Sequence, residues 1–459
     1  MIRPLPNAAL LLGAALLAGC VATPRATSPV AVDSLAFSTS GHAPVPDAWW
    51  RAFDDPGLDA TVEAALTGNF TVQAAFARLE AARALTRRTR APLFPTVEAE
   101  AGANLSTDGP LGGGTRPPLD LGLGVSWEID LWGRVRSAVD AQQQRALATR
   151  EDARAAALSL SAEVARTWVA IAATREQIAL LDAQIDTNQS LVEVVQARVL
   201  HGIQGPADLF RQDRLQEQTR AQRIQRLADL EVLEHRLSVL LGRPPQEPPE
   251  RLPAALPALP PLPAAGVPSE LLQRRPDLRA AAHMLQATDA EVASAVADQF
   301  PRLTLTADVF NAPTSGRALL TGWVASLGAN LLATLFAGGE RRAEIRRRRA
   351  LVEEALADYG DAVLVALQEV EDTLTRDRAQ QELVANIDRQ VALAEQTVDS
   401  LTARYTGGLD VGFLDVVTAQ GTAQQLGRDQ IAARQQHLLV RITLYRALAG
   451  GVEPTQDPE

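Results

Sequence analysis

Side chains able to do chemistry are sparse in this sequence and do not converge. The five histidines, His42, His201, His235, His283 and His437, are scattered. No metal-ligand spacing, phosphate-binding loop or nucleophile elbow accompanies them. Carboxylates are many, but they sit on the charged surfaces of heptad patterns, where charge is expected. The sequence therefore names no catalytic residue, no metal ligand and no bound cofactor, and an enzyme is not expected. Two features keep a chemical meaning. Cys20 is the only cysteine, so it has no partner for a disulfide. Asp410 and Asp415 lie close together in Gly-Gly-Leu-Asp-Val-Gly-Phe-Leu-Asp, residues 407–415. Three copies of one such aspartate around an axis form a carboxylate ring that favours cations and narrows a pore. The plain alternative for either is a solvated aspartate in a turn.

Cys20 ends a targeting segment. Arg3 supplies a short positive region and Ala-Ala-Leu-Leu-Leu-Gly-Ala-Ala-Leu-Leu-Ala an apolar run, closing on Leu17-Ala18-Gly19-Cys20. This resembles the bacterial lipobox, which implies a lipoprotein signal peptide over 1–19 and a diacylglyceryl, palmitate-type anchor on the Cys20 thiol. Each buried methylene of such a chain contributes ~0.8 kcal/mol, so several acyl chains hold firmly. Val21 follows where an aspartate signals inner-membrane retention, which points to the outer membrane. Residues 20–53 read as an N-terminal tether. The net charge of −11 argues against a nucleic-acid surface. No later stretch holds ~18 consecutive apolar residues, so a spanning region has to be a β-barrel.

The elements that would position these features begin with Leu119–Arg134. Leu119, Leu121, Leu123, Val125, Trp127, Ile129 and Leu131 alternate with Asp120, Gly122, Gly124, Ser126, Glu128 and Asp130. That is the period of a strand with one greasy and one wet face. An earlier run, Val97 to Ser106, alternates in the same way. The pattern then changes to helical. Val164, Trp168, Ile171, Ile178, Leu181, Ile185, Val192, Val195 and Val199 recur at three-, four- and seven-residue steps, the narrow seam of a coiled coil. A helix over 133–200 would be on the order of 100 Å long.

The chain then repeats itself. Phe94-Pro95 recurs as Phe300-Pro301, an offset of 206 (301 − 95), and Gly133, Glu163 and Gly202 recur as Gly339, Glu369 and Gly408 at the same offset. The expected organisation is a first repeat over 54–242, with strands near 96–106 and 119–131 and long helices near 133–200 and 207–241. A proline-rich connector, 243–267, should be extended and stiff. A second repeat spans 268–451, with strands near 302–310 and 322–332 and helices near 339–405 and 413–449, and 452–459 is a tail. In the second long helix Asp377 interrupts an otherwise apolar seam. Four strands are too few for a membrane barrel of at least ~8, and their bare edges would be costly in lipid. Several chains must share one barrel; the sequence alone leaves two or three open.

Ser126 to Ala138, the later Leu-Phe-Ala-Gly-Gly-Glu-Arg-Arg-Ala-Glu-Ile, Leu271 to Ala281, the terminal Leu-Tyr-Arg-Ala-Leu-Ala-Gly-Gly and Asp47 to Leu58 together resemble the outer membrane efflux proteins, the TolC-like outer membrane factors, in their lipoprotein branch. The resemblance covers nearly the whole mature chain. It implies a mainly α fold with a membrane β-barrel, built from duplicated β-β-α-α halves. Four transmembrane strands per chain would make a homotrimeric 12-stranded barrel that continues into a periplasmic α-helical barrel. It further implies a passive exit duct for drugs or other small molecules, working with a periplasmic adaptor (membrane fusion) protein and an inner-membrane RND-type transporter. The two helix-turn-helix tips, with Arg198 and Gly202 on one and Arg404 and Gly408 on the other, resemble the family's adaptor-docking surface. Gly205-Pro206 departs from the usual pattern at the first tip. An acidic constriction near the second tip would fall on Asp410 or Asp415. Trp127 and Trp132 suit an aromatic girdle at the membrane interface, where ordinary packing is the alternative. The arginine run Arg341–Ala350 reads as a solvated helix face. Two other readings stand beside the efflux duct: the exit duct of a type I protein-secretion system, and a lipid-anchored coiled-coil scaffold without a pore.

Overall fold

The computed structural model describes residue 30 and residues 36–103, 119–247, 251–311, 322–408 and 411–448. Cys20 and Asp410 lie outside the described residues. Helices α1 (Pro56–Gly68) and α2 (Phe70–Arg90) precede strands β1 (Thr96–Ala103) and β2 (Leu119–Ile129), then the long helix α3 (Arg134–Leu200) and its return α4 (Pro206–Leu240). The second half repeats the order with α5 (Pro268–Arg274), α6 (Pro276–Ala297), β3 (Arg302–Asn311), β4 (Val324–Leu332), α7 (Glu340–Thr406) and α8 (Phe413–Leu448). Both α3 and α7 are 67 residues long.

The compact bodies do not follow the two halves. One unit holds Arg83–Ala146 and His283–Asp358; the other holds Val30–Ala82, Leu147–Ala282 and Tyr359–Glu459. The division at 54–242 and 268–451 thus describes chain order and not compact units, because β2 of the first half pairs with β3 of the second.

In the first unit the four strands form one antiparallel sheet in the order β1-β2-β3-β4. Strand β2 stops at Ile129, two residues short of the expected end. The Asp130 carboxylate turns there to accept the N–H groups of Val135 (3.1 Å) and Arg136 (2.9 Å), two orphan donors in the first turn of α3. Gly133 supplies the positive φ of +79° that the junction needs. Strand β4 begins at Val324, after Gly322 at φ +87°.

In the second unit the core gathers around Trp49. Its indole stacks on Tyr445 with centroids 5.9 Å apart and donates to Ser161 Oγ at 3.0 Å. Trp168 donates to Asp55 Oδ2 at 2.7 Å while Asp55 Oδ1 caps α1 through Gly57 N–H. A tether over 20–53 is therefore corrected for its last part. Trp49, Trp50 and Phe53 are core residues, and Ala43 pairs with Pro263 of the proline-rich segment. That segment is extended as expected and is also pinned along its length. Its Leu256 N–H donates to Glu176 (2.7 Å), and its Pro253 carbonyl accepts from Arg175 (3.1 Å).

The seam of α3 is mostly buried, and α3 is long and apolar enough to cross a membrane. Most of that apolar stretch is buried inside the protein, which accounts for its composition without a bilayer. The seam of α7 is interrupted at Asp377, and the structure supplies the reason. Asp377 is 4% exposed and bidentate with Arg441 of α8, at 3.0 Å for both oxygens. Arg441 also donates to the Pro260 carbonyl, so one buried ion pair ties α7, α8 and the proline-rich segment together. Burial alone would raise the Asp377 pKa, but the His437 ring 3.4 Å away and the charge and hydrogen bonds of Arg441 outweigh it and hold the carboxyl below its ordinary value. Arg441→Met, which strands the carboxylate, should cost about 3–5 kcal/mol in denaturation of the purified protein. Because the folded pKa is depressed, the stabilising contribution of Asp377 is complete above about pH 4 and is lost as pH falls through the folded value. The stability gap between wild type and Asp377→Asn should therefore narrow only in that acid range.

Candidate functional site

Two places in the fold carry functional geometry: the sheet and the paired helix tips. In an antiparallel sheet, directly paired residues share a face. The register pairs Ala99 with Leu123, Leu123 with Val309, and Val309 with Ala325; nearer the helices Trp127 pairs with Leu305, and Leu305 with Ala329. Every residue on that face is therefore apolar except Asn311. The opposite face carries Glu98, Glu100, Asp120, Glu128, Thr304, Thr306, Asp308, Ser326 and Asn330, with Phe310, Val324 and Leu332 as its large apolar residues, all near the strand ends. No described element covers the apolar face of β4: all nine of its residues are exposed, and Leu327 is 91% exposed. The outer edges of β1 and β4 have no strand partner among the described residues. Trp127 and Trp132 lie at the helix end of the sheet. Trp127 donates to the Leu93 carbonyl (3.1 Å), and Trp132 donates to the Pro301 carbonyl (2.8 Å) while stacking on Phe300. Both indoles are thus oriented by backbone carbonyls just ahead of β1 and β3.

The tips, in the second unit, are held against each other. Gly202 (φ +70°) and Gly408 (φ +73°) take the left-handed turn conformation that ends α3 and α7. A small core of Val195, Tyr405, Phe413 and Val416 joins the two hairpins. The Arg198 guanidinium lies 4.1 Å from the centre of the Tyr405 ring and donates to the Tyr405 carbonyl at 3.3 Å. The Tyr405 hydroxyl meets Gln204 Oε1 at 2.5 Å. Arg198 and Arg404, equivalent in the repeat, therefore differ in setting: Arg198 is half-buried against Tyr405 and Arg404 is exposed. Gly205 and Pro206, the departure from the usual pattern, form the N-cap and first residue of α4, where a proline costs no hydrogen bond. Asp415 is exposed in the first turn of α8, and its carboxylate accepts from Gly412 N–H at 3.2 Å, a helix-start role.

Above the tips, Asn188 of α3 is a fully buried polar node. Its side-chain carbonyl accepts from Gln420 (2.9 Å) and Gln424 (2.8 Å) of α8, and its amide donates to Thr219 of α4 (3.1 Å). The sequence signal was available: Asn188 fills the seam position that the seven-residue step from Ile185 to Val192 passes over. The run Arg341–Ala350 presents a largely solvated face of α7, with Arg342, Arg346 and Arg349 exposed and with Arg347 and Arg348 paired to Glu344. These contacts hold Glu344 well below the usual carboxylate range, at about 2.

With this geometry in view, comparison with known proteins is decisive. The outer membrane efflux protein model matches residues 61–243 and 267–450. The chain belongs to the outer membrane efflux protein family. The pyoverdine export outer membrane protein OpmQ of Pseudomonas aeruginosa is 30% identical, over 97% of this chain and 96% of that protein. The toluene efflux pump outer membrane protein TtgI of Pseudomonas putida is 30% identical, over 88% of this chain and 87% of that protein. Among solved structures, the outer-membrane channel OprN superposes with a TM-score of 0.85 at 29% identity, covering 93% of this chain and all of that one. The open-state MtrE outer membrane channel of Neisseria gonorrhoeae gives 0.84 at 26%, covering 95% and 99%. The chain is thus an outer membrane protein with the fold of the TolC-like efflux channels, and its family is one of transport ducts, not of enzymes. At the tips, Tyr405→Phe removes only the hydroxyl contact to Gln204 and should cost about 0.5–1.5 kcal/mol. Tyr405→Ala also removes the ring beneath Arg198 and should cost about 3–5 kcal/mol, both read by denaturation of the detergent-solubilised protein.

Proposed function

We infer that three copies of this chain pool their sheets into one 12-stranded barrel and export small organic molecules across the outer membrane. The carrying observation is the sheet itself: one face apolar but for Asn311, one mainly polar face, and two edges with no strand partner among the described residues. In lipid each unpaired backbone group costs several kcal/mol, and closure between copies removes that cost. Three copies of four strands make twelve, within the range of natural barrels. The polar face then lines water and the apolar face meets lipid.

The names of the relatives, which cover pyoverdine export and toluene efflux, favour small molecules over secreted proteins as cargo. The exposed tip around Arg404, Gly408 and the Arg198–Tyr405 clasp is the surface offered to a periplasmic adaptor, behind which an inner-membrane RND-type transporter would drive export. Cys20 carries the lipid anchor in this reading, with Asp410 the stronger candidate for a constriction because Asp415 is engaged at the start of α8. The purified protein should form channels in planar bilayers, and loss of the gene should sensitise cells to exported compounds. A protein that folds, inserts and gives no conductance would instead favour the scaffold reading. Within the sheet, Ala307→Arg, at the middle of β3 and paired with Val125 and Leu327, places charge on the lipid face and should cost ~2–4 kcal/mol near mid-membrane, abolishing insertion. Thr306→Arg, one residue away and facing the other way, should insert normally and change only conductance.

A further inference from the structure

In the second unit, helices α3, α4, α7 and α8 line an open cavity of about 410 Å³ whose charged lining is dominated by arginine. Arg166, Arg236 and Arg376 all face it, against one lining carboxylate, Glu163. Arg236 is paired with Glu163, and Arg376 stands 4.0 Å from Asp372. Arg166 spends one terminal nitrogen on Thr443 Oγ1 at 2.8 Å, while its Nε is buried without a hydrogen-bond partner. A buried guanidinium N–H left unpaired is costly, and an acceptor entering the cavity would satisfy it. The nearby threonine hydroxyls are committed as donors to their own helices: Thr167 to the Glu163 carbonyl, Thr373 to Glu369 and Thr443 to Leu439. The donors left facing the cavity are therefore Arg166, Arg376 and the Gln436 amide, and only the two arginines carry charge.

Apart from Gln436 the rest of the lining is apolar, with Ala170, Leu233, Leu439 and Val440. The pocket also lies where the two repeats meet. Thr167 and Thr373 are equivalent at the repeat offset, but Arg166 stands opposite Asp372 and Arg376 opposite Ala170, so each repeat supplies its pocket arginine from a different position. On α8 the pocket uses Gln436, Leu439, Val440 and Thr443, the face away from Arg441 and Tyr445, which hold the proline-rich segment. The cavity is thus not part of that latch.

We propose that this cavity binds an organic carboxylate: an apolar body seated on the leucine and valine side chains, with its planar anionic group forked by Arg166 and Arg376. The guanidinium fork matches a carboxylate in two parallel hydrogen bonds, and about 410 Å³ is the size of a small-molecule site. As a station for anionic cargo the site rests on the duct reading; as a binding site it does not. Calorimetric titration of the full-length, detergent-solubilised protein with 1-naphthoate, its neutral isostere 1-naphthamide, and inorganic phosphate tests it. Naphthoate should bind, and naphthamide should bind about tenfold more weakly or not at all. R166Q and R376Q should each weaken naphthoate about tenfold. R376Q keeps the test open if R166Q fails to fold, because the Arg376 side chain is 69% exposed. Glu163→Gln, which removes the competing carboxylate, should tighten binding, and Arg220→Gln, paired with Glu217 outside the pocket, should leave it unchanged. Equal affinity for naphthoate and naphthamide, absence of naphthoate binding, phosphate binding as tightly as naphthoate, or R166Q and R376Q both matching wild type would overturn the assignment. Bilayer conductance of the same preparations separates the two ideas: channels without naphthoate binding sink the site alone, and naphthoate binding without channels sinks the duct alone.

Discussion

Backbone hydrogen bonding in an apolar medium constrains everything else in this molecule. A strand exposes a row of N–H and C=O groups on each side, and lipid offers them nothing. Strands β2 and β3 satisfy both sides within the chain; among the described residues β1 and β4 each satisfy one. With one whole face of the sheet apolar, water cannot be the solvent for that face without a large exposed patch, and lipid cannot be the solvent for the open edges. Only further copies of the same edge satisfy both demands. The exposed β4, with Leu327 almost fully bare, is the same requirement seen in side chains.

The helical part meets a different problem. Long, narrow apolar seams specify that helices associate but leave their axial register loosely defined, since each heptad resembles the next. Buried polar groups supply the missing definition. Asn188 reaches two glutamines on α8 and a threonine on α4, and any slip by a turn would leave these groups unsatisfied. Asp377 with Arg441 does the same between α7 and α8, and the link to Pro260 extends it to the proline-rich segment. At the tips the Arg198–Tyr405 clasp fixes one hairpin against the other.

Much of this was legible in the residues. The period-2 runs located the strands within a few residues, and the repeat located the two long helices, because alternation and heptads are direct consequences of side-chain direction. The sheet order and register were not legible, since pairing between β2 and β3 joins residues far apart in the chain. The same long-range pairing explains why the compact units cut across the halves. The tether was misread over its last part because a proline-rich, polar composition hides the anchoring role of Trp49 and Phe53. Asp377 was visible as an anomaly in the seam, but its meaning lay in Arg441 on another helix. Asn188 was hidden by a count of apolar positions alone, and the arginine cavity was hidden because its cations come from three separate helices.

The central claim is that the free edges of β1 and β4 pair between copies. Within one chain those strands are separated by two others, roughly 14 Å at the spacing of neighbouring strands, too far for a disulfide. The most direct measurement is therefore a scan of paired cysteines, one on β1 at Glu98 or Glu100 and one on β4 at Ser326 or Gly328, oxidised in the native membrane. The account predicts a covalent ladder that stops at three chains for the pairs in register. Oxidation that yields only single chains for every pair tried would contradict it.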